Sequence, residues 1–223
     1  MHRDLMRERY SKKWSPLKSD LPRIEAIVKL VGSGKKVLDI GCYDGTISER
    51  IARNQNVVYG VDYSPEAIEL ARKRGIIASC LDIEDEPLPF QKDFFDVIIA
   101  AEVIEHIFDT DIFLKKIKSC LKPKGSLILT TPNLATLGRR ILLLVGRNPL
   151  IEVSWRRETA GHIRYFVRDS LFALLRQHGF KVEIFTSDVV NFTNSGSIFI
   201  KWLARLCPTL GKSLIVKAVQ TDG

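Results

Sequence analysis

The chain has little of what marks several common protein classes. It holds four cysteines in 223 residues. Cys42, Cys80, Cys120 and Cys207 lie far apart with no CxxC pair, which argues against a zinc site or a disulfide framework and leaves them as small core residues. No wholly apolar run exceeds five residues, as in Ile141 to Val145, against the roughly 20 that cross a bilayer. The first ten residues, MHRDLMRERY, are densely charged and lack the apolar stretch of a secretory signal, so a cytoplasmic location is expected. There is no GxGxxG of the dinucleotide folds and no GKS or GKT of a phosphate loop, so neither a pyrophosphate nor a triphosphate site is signalled. Low-complexity tracts and internal repeats are missing too.

What remains is enough for a folded domain: 45% of residues are hydrophobic and 27% charged, a balance that can bury a core. The net charge of +8 is unevenly spread. Residues 1–36 carry ten basic and four acidic side chains (+6), residues 37–133 eleven and sixteen (−5), and residues 134–223 thirteen and six (+7). An acidic centre is a poor cradle for phosphates and a better one for a cationic or hydroxyl-rich ligand. The basic flanks suit an anionic substrate, a nucleic acid or a membrane surface.

Along the chain, residues 1–36 read as an N-terminal helical lid, with apolar residues at helix spacing over Leu21 to Val31. Residues 37–223 read as the main domain. KVLDI ends abruptly in a glycine loop before the helical TISERIA. VVYGVD then leads into SPEAIELARK, where Ser64 and Pro65 form a good helix start. IIASCLDI, FDVIIAAEV and SLILTTPN follow as strands, with IFDTDIFLKKIKSCL as a helix and KPKG as a turn. Strands alternating with helices imply an α/β fold, a parallel sheet covered on both faces. Residues 134–165 fit neither period and read as a substrate-side insertion, rich in Arg139, Arg140, Arg147, Arg156 and Arg157. Alternation resumes with VRDSLFALLRQHGF, KVEIFTSD, a helix over SIFIKWLARLCPTLG and the strand SLIVKAVQ.

Ligands of open parallel sheets sit at the carboxyl ends of the strands. Gly41 and Gly45 would let a ligand approach the first loop, whose other members include Cys42 and Tyr43. Asp62 ends the second strand, where a carboxylate can accept two hydrogen bonds from a ribose diol; Tyr63 follows it. Asp82 or the backbone at Ile83 is placed to meet an adenine amino group. An unphosphorylated nucleoside is the ligand these residues imply. Glu66 and Glu69, on the helix after Asp62, read as surface.

VLDIGCYDG, VYGVDYSPEAIELA, CLDIED, FDVIIAAEVIEHI and LKPKGSLILTTPN, in this order over residues 37–133, resemble the class I S-adenosylmethionine-dependent methyltransferases, and the resemblance continues through GHIRYFVRDSLFALLRQHGF. EVIEHI with TTPN and GHIRYF is most similar to the ubiquinone-biosynthesis O-methyltransferase branch. The resemblance implies a Rossmann-like three-layer sandwich around a seven-stranded, mostly parallel sheet whose last strand is antiparallel. It implies S-adenosyl-L-methionine as cofactor, with Asp39 and Gly41 by its methionine part, Asp62 by the ribose, Asp82 and Ile83 by the adenine, and Ala101 and Glu102 beside the sulfonium. Where Tyr43 stands many relatives have glycine.

The reaction so implied is methylation of a small, lipophilic acceptor on a hydroxyl oxygen. His106 is the first candidate to take the acceptor's proton, His162 the second, with Glu105 beside them. In some relatives Glu102, Glu105, His106 and a histidine at the position of His162 hold a divalent metal; direct proton transfer without metal is the expectation here. Trp155 and Tyr165 are candidates for a pocket wall or the core. The mixture of arginines with ILLLV and PLI in the insertion fits an acceptor presented at an anionic membrane. An RNA-modifying enzyme and a non-catalytic cofactor-binding protein are the alternatives, and the oligomeric state is left open.

Overall fold

In a computed structural model the described residues are 16–153, 160–191 and 199–221. Residues 1–15 of the expected lid, together with Trp155, Arg156 and Arg157, lie outside them. The elements are helix α1 (Leu21–Val31), strand β1 (Lys36–Ile40), α2 (Thr46–Ala52), β2 (Val57–Asp62), α3 (Pro65–Lys73), β3 (Ile77–Cys80), β4 (Phe95–Ala101), a single 3₁₀ turn (Ile104–His106), α4 (Thr110–Cys120), β5 (Leu121–Pro132), α5 (Leu137–Leu144), α6 (Arg168–Gln177), β6 (Phe180–Thr186), β7 (Val190–Asn191), β8 (Phe199–Ile200), α7 (Lys201–Leu206) and β9 (Ser213–Gln220). The main sheet runs β3-β2-β1-β4-β5-β9-β6. β3 to β5 pair in parallel, and β9 lies antiparallel to both β5 and β6. The seven-stranded, mostly parallel sheet with an antiparallel last strand is therefore as expected.

Strand parity explains why both faces are covered. Successive side chains point to opposite faces, so Leu38, Ile40, Ile98, Ala100, Leu127 and Leu129 join one apolar cluster with Phe113, Leu114 and Ile117 of α4 and Leu171 and Leu175 of α6. Val37, Val97, Ile99 and Ile128 join the other, with Ile27 and Val31 of α1, Ile51 of α2 and Ile68 and Ala71 of α3. Near-continuous apolar strands such as FDVIIAA are what a two-sided sheet demands. The helices start on local chemistry: the Ser64 hydroxyl accepts from Ala67 N at 3.2 Å, and the Asp109 carboxylate from Ile112 N at 2.8 Å, each satisfying an amide that the helix cannot.

Three local expectations are corrected. KPKG is not a separate turn: Phe95 pairs with Leu121 and Val97 with Ser126, so Lys122–Gly125 bulge out of β5, with Lys124 left-handed at φ 62°. The expected helix over SIFIKWLARLCPTLG opens instead with β8, which pairs with β7, and ends in a 3₁₀ turn at Pro208–Leu210 because proline cannot continue α7. Cys42 and Cys120 are buried, but Cys80 and Cys207 are exposed rather than in the core. Glu66 and Glu69 are on the surface. No helix among the described residues is long and apolar enough to cross a membrane.

Candidate active site

The chain leaves β1 through a tight bend. Gly41 N and Cys42 N both donate to Val61 O, at 2.8 and 3.2 Å, which holds the bend against the end of β2. Gly41 has φ 71°, and a Cβ there would meet Val103 Cγ2 at 2.6 Å. Tyr43 also lies in the left-handed region at φ 49°, a conformation that costs a residue with a side chain roughly 1 kcal/mol or more. Asp62 locks this geometry. One carboxylate oxygen accepts from Tyr43 N and the other from Ser64 N, both at 3.0 Å. Burial raises the Asp62 carboxyl above its ordinary range, against the pull of those backbone donors. Asp39 sits deeper and accepts from Ser48 Oγ at 2.5 Å; burial pushes its carboxyl up to about 7.

A second group forms after β4. Glu102 has φ 58°; its carboxylate accepts from Thr130 Oγ1 at 2.9 Å and pairs with Arg23 Nη1 of α1 at 2.6 Å. Arg23 is only 8% exposed. Burial works against its charge, but Glu102, Asp20 and Asp188 outweigh that and hold the guanidinium protonated. Glu105 is buried, with one oxygen accepting from Thr131 Oγ1 at 3.0 Å and the other, Oε1, without a partner. Burial and the nearby Glu102 push its carboxyl far up.

His162 reaches this point although it lies 56 positions after His106. The carbonyl of Glu105 accepts from Ile163 N at 3.0 Å and Arg164 N at 3.1 Å, and Arg164 bonds back to the carbonyls of Ile107 and Phe108. The imidazole of His106 contacts Gly161 O through Nδ1 at 3.0 Å. A carbonyl can only accept, so Nδ1 carries the proton and Nε2 is the basic nitrogen. Burial, then the neighbouring His162, lowers the His106 pKa to about 4. The two rings stand 5.0 Å apart, and ligand atoms of Glu105, His106 and His162 lie within 4.8 Å of one another. His162 Nδ1 is 3.7 Å from Glu152, whose carboxylate also accepts from the amides of Ala160, Gly161 and His162.

Both groups open into one cleft of about 1420 Å³. It is lined by Asp39, Gly41, Cys42, Tyr43, Asp62, Tyr63, Asp82, Ile83, Ala101, Glu102, Glu105, His106 and His162. Gly45 is the exception. It does not line the cleft; it starts α2 at φ 76° and faces α3, where a Cβ would stand 3.0 Å from Ala71 Cα. Tyr165 is half-buried, its hydroxyl accepting from Glu152 N at 2.6 Å. Sequence reasoning missed Arg23, Asp44, Thr46, Asn191 and Lys212 on the cleft wall, and listed Arg139 only as one arginine of a basic segment. No local pattern marks them, since what unites them is the space they face. Buried polar atoms without partners do: Arg23 Nε, Thr46 Oγ1, Glu105 Oε1, Arg139 Nη1 and Asn191 Oδ1 all belong to this lining. Such atoms are rare in folded proteins and mark places where water, an ion or a ligand can complete the bonding.

The sheet order, the glycine bend and the acidic strand end define a methyltransferase-type domain. A model of the family described as "Methyltransferase domain" matches residues 6–183, and the chain belongs to that family. It is 36% identical over 127 residues to the mitochondrial ubiquinone biosynthesis O-methyltransferase of Schizosaccharomyces pombe, a match covering 53% of this chain and 45% of that protein. To the ubiquinone biosynthesis O-methyltransferase of Haemophilus ducreyi it is 32% identical over 129 residues, 54% of each chain. The chain thus spans about half the length of the curated relatives it matches. A SAM-dependent methyltransferase from Thermotoga maritima shares the fold with a TM-score of 0.66 at 21% identity, over 90% of this chain and 89% of that one.

Proposed function

We propose that this protein transfers the methyl of S-adenosylmethionine to a hydroxyl oxygen of a small, lipophilic acceptor. The observation that carries the reading is that the Asp62 end of the cleft and the Glu105, His106 and His162 group share one cavity. The donor set fits the cofactor. Asp39, Asp44, Asp62 and Asp82 line that end, with Asp44 paired to Arg74 and the Asp39 carboxyl raised to about 7, and its acidic character suits a cation better than a pyrophosphate. The Asp62 carboxylate accepts from backbone amides including Tyr43 N and Ser64 N, and with about four acceptor sites it can still accept from a ribose hydroxyl. Asp82 and Ile83 would face the adenine, Gly41 and Asp39 the amino-acid part, and Ala101 and Glu102 the sulfur. S-adenosylmethionine, when bound, supplies an electrophilic methyl on a cationic sulfur.

The chain's own part is to align, to exclude water and to take one proton. His106 is neutral at pH 7, with Nε2 free of the proton that Nδ1 carries toward Gly161 O. A base with a pKa near 4 is weak against a resting hydroxyl, but the oxygen becomes strongly acidic as its bond to carbon forms, so the transfer is downhill when it is needed. A second reading is favoured by Glu105 Oε1, a buried oxygen without a partner: Glu105, His106 and His162 would hold a divalent cation, which would lower the acceptor hydroxyl's pKa. Glu102, the fourth residue of the set that the resemblance implies, is taken by Arg23. Loss of turnover on chelation, restored by Mg²⁺, selects this reading over direct proton transfer.

A lipophilic acceptor is supported by α5 and the residues after it, where Ile141, Leu143, Leu144 and Val145 are exposed beside Arg140 and Arg147. Such a strip suits contact with an anionic membrane. The test is calorimetry with S-adenosylmethionine, S-adenosylhomocysteine and NAD, followed by a labelled-methyl screen over phenols, lipids, RNA and protein. Binding of the two sulfur compounds but not NAD, with label on a phenol or lipid, is expected. Label on RNA identifies a nucleic-acid enzyme; tight binding without label on any class identifies a non-catalytic relative.

A further inference from the structure

The cations on the cleft wall are not alike. Arg23 is matched by Glu102 and Lys212 by Asp20, each pair at 2.6 Å, and Arg147 is exposed to water. Arg139, in the first turn of α5, is half-buried, has no carboxylate within ion-pair distance among the described residues, and presents a buried Nη1 without an acceptor. Among the described acids Glu152 bears on it, but that carboxylate already accepts from three backbone amides and stands beside His162. A partly desolvated guanidinium with no carboxylate in ion-pair contact among the described residues is costly unless something completes it. Burial indeed depresses its proton affinity, with Tyr165 and Glu152 only partly compensating. Its fork of donors matches a planar or tetrahedral oxyanion, and Ile141, Leu142 and Leu150 line the same cleft beside it.

We propose that Arg139 is an anion subsite, and that the methyl acceptor carries an oxyanion, a carboxylate or a phosphate, on the same molecule as its hydroxyl and apolar part. The proposal rests on the methyltransferase reading and names the substrate class within it. Arg139 binds and orients the acceptor and takes no part in the proton transfer. Arg139 lines the same cleft as His106 and His162.

The test uses the full chain saturated with S-adenosylhomocysteine and three phenols that differ in the para substituent, neutral or anionic: phenol, 4-hydroxybenzoate and 4-hydroxyphenyl phosphate. Ligand-observed NMR titration should give at least a tenfold tighter affinity for one of the anions than for phenol, and the better anion identifies the oxyanion. Arg139→Met should erase that preference and Arg139→Lys keep part of it, with S-adenosylhomocysteine affinity unchanged in both. Equal affinities across the probes, a preference that survives Arg139→Met, or no binding of any probe overturns the subsite while leaving the methyltransferase reading intact. Failure of the wild type to bind S-adenosylhomocysteine instead overturns the reading on which the subsite rests.

Discussion

Gly41 sits where two demands meet, a positive φ and a neighbour that leaves no space for a Cβ. Val103 is β-branched and cannot swing away freely. Gly41→Ala should therefore lower stability by on the order of 2 to 4 kcal/mol, from backbone strain and overpacking together. Urea unfolding reads this directly, and a loss below about 1 kcal/mol would mean that the bend can open. Asp62 combines a scaffold role with the proposed binding role, since it fastens the bend through Tyr43 N and the start of α3 through Ser64 N. Asp62→Ala should weaken S-adenosylmethionine by roughly 1 to 3 kcal/mol by leaving hydroxyls and amides unpaired. Calorimetry that finds the affinity unchanged removes Asp62 from the site.

At the scale of elements, α1 does more than cover the sheet. Ile24, Ile27 and Val31 bury one face, and Arg23 on the same helix carries the counter-charge of Glu102 into the cleft. Arg23→Ala removes the buried partner of a pair whose Glu102 is 26% exposed on the cleft wall, so the cost falls short of the about 3 to 5 kcal/mol of a fully buried pair and is on the order of 1 to 3 kcal/mol. A melting temperature within a degree of the wild type would show that Glu102 can find water or another partner. Helix α5 behaves in the opposite way. None of its residues is buried, and Leu144 is 86% exposed. Replacing Leu143 and Leu144 by aspartate should abolish co-sedimentation with vesicles containing phosphatidylglycerol while leaving S-adenosylhomocysteine binding intact. Co-sedimentation that survives the double change removes α5 from the proposed contact surface.

Over the whole molecule, several buried carboxyls share one sign. Asp39, Asp62, Glu105 and Asp188 are all raised, mainly by burial. A carboxyl whose folded pKa exceeds its unfolded value binds its proton more tightly when folded, so its stabilisation is complete in acid and is lost as pH rises through the folded pKa. For Asp39 the window runs from the ordinary 3.8 to about 7. Glu49 and Asp96, both lowered, work the other way from half-buried positions at the surface. Stability should fall between about pH 4 and 7 by a few kcal/mol at most, and Asp39→Asn should make that fall shallower. Parallel pH profiles of the two proteins would show that Asp39 is solvated after all.

Much of this architecture is legible residue by residue. The apolar runs VLDI and VIIAA mark strands covered on both sides, Ser64-Pro65 marks a helix start, and the glycine bend with Asp62 marks a ligand-binding strand end. These are local signals, carried by side-chain period and by residues that satisfy or strain the nearest backbone. The insertion was legible only as an interruption, because its arginines are separated by the space they face and not by any spacing along the chain. The sequence by itself determined the order of strands and helices and the acidic loops at the strand ends, since those depend on contacts a few residues long. Tertiary structure alone decided that Glu105 captures the segment carrying His162, that Arg23 takes Glu102, and that Arg139 has no carboxylate in ion-pair contact among the described residues, because each depends on which distant backbone and charge the sheet brings within a few ångströms.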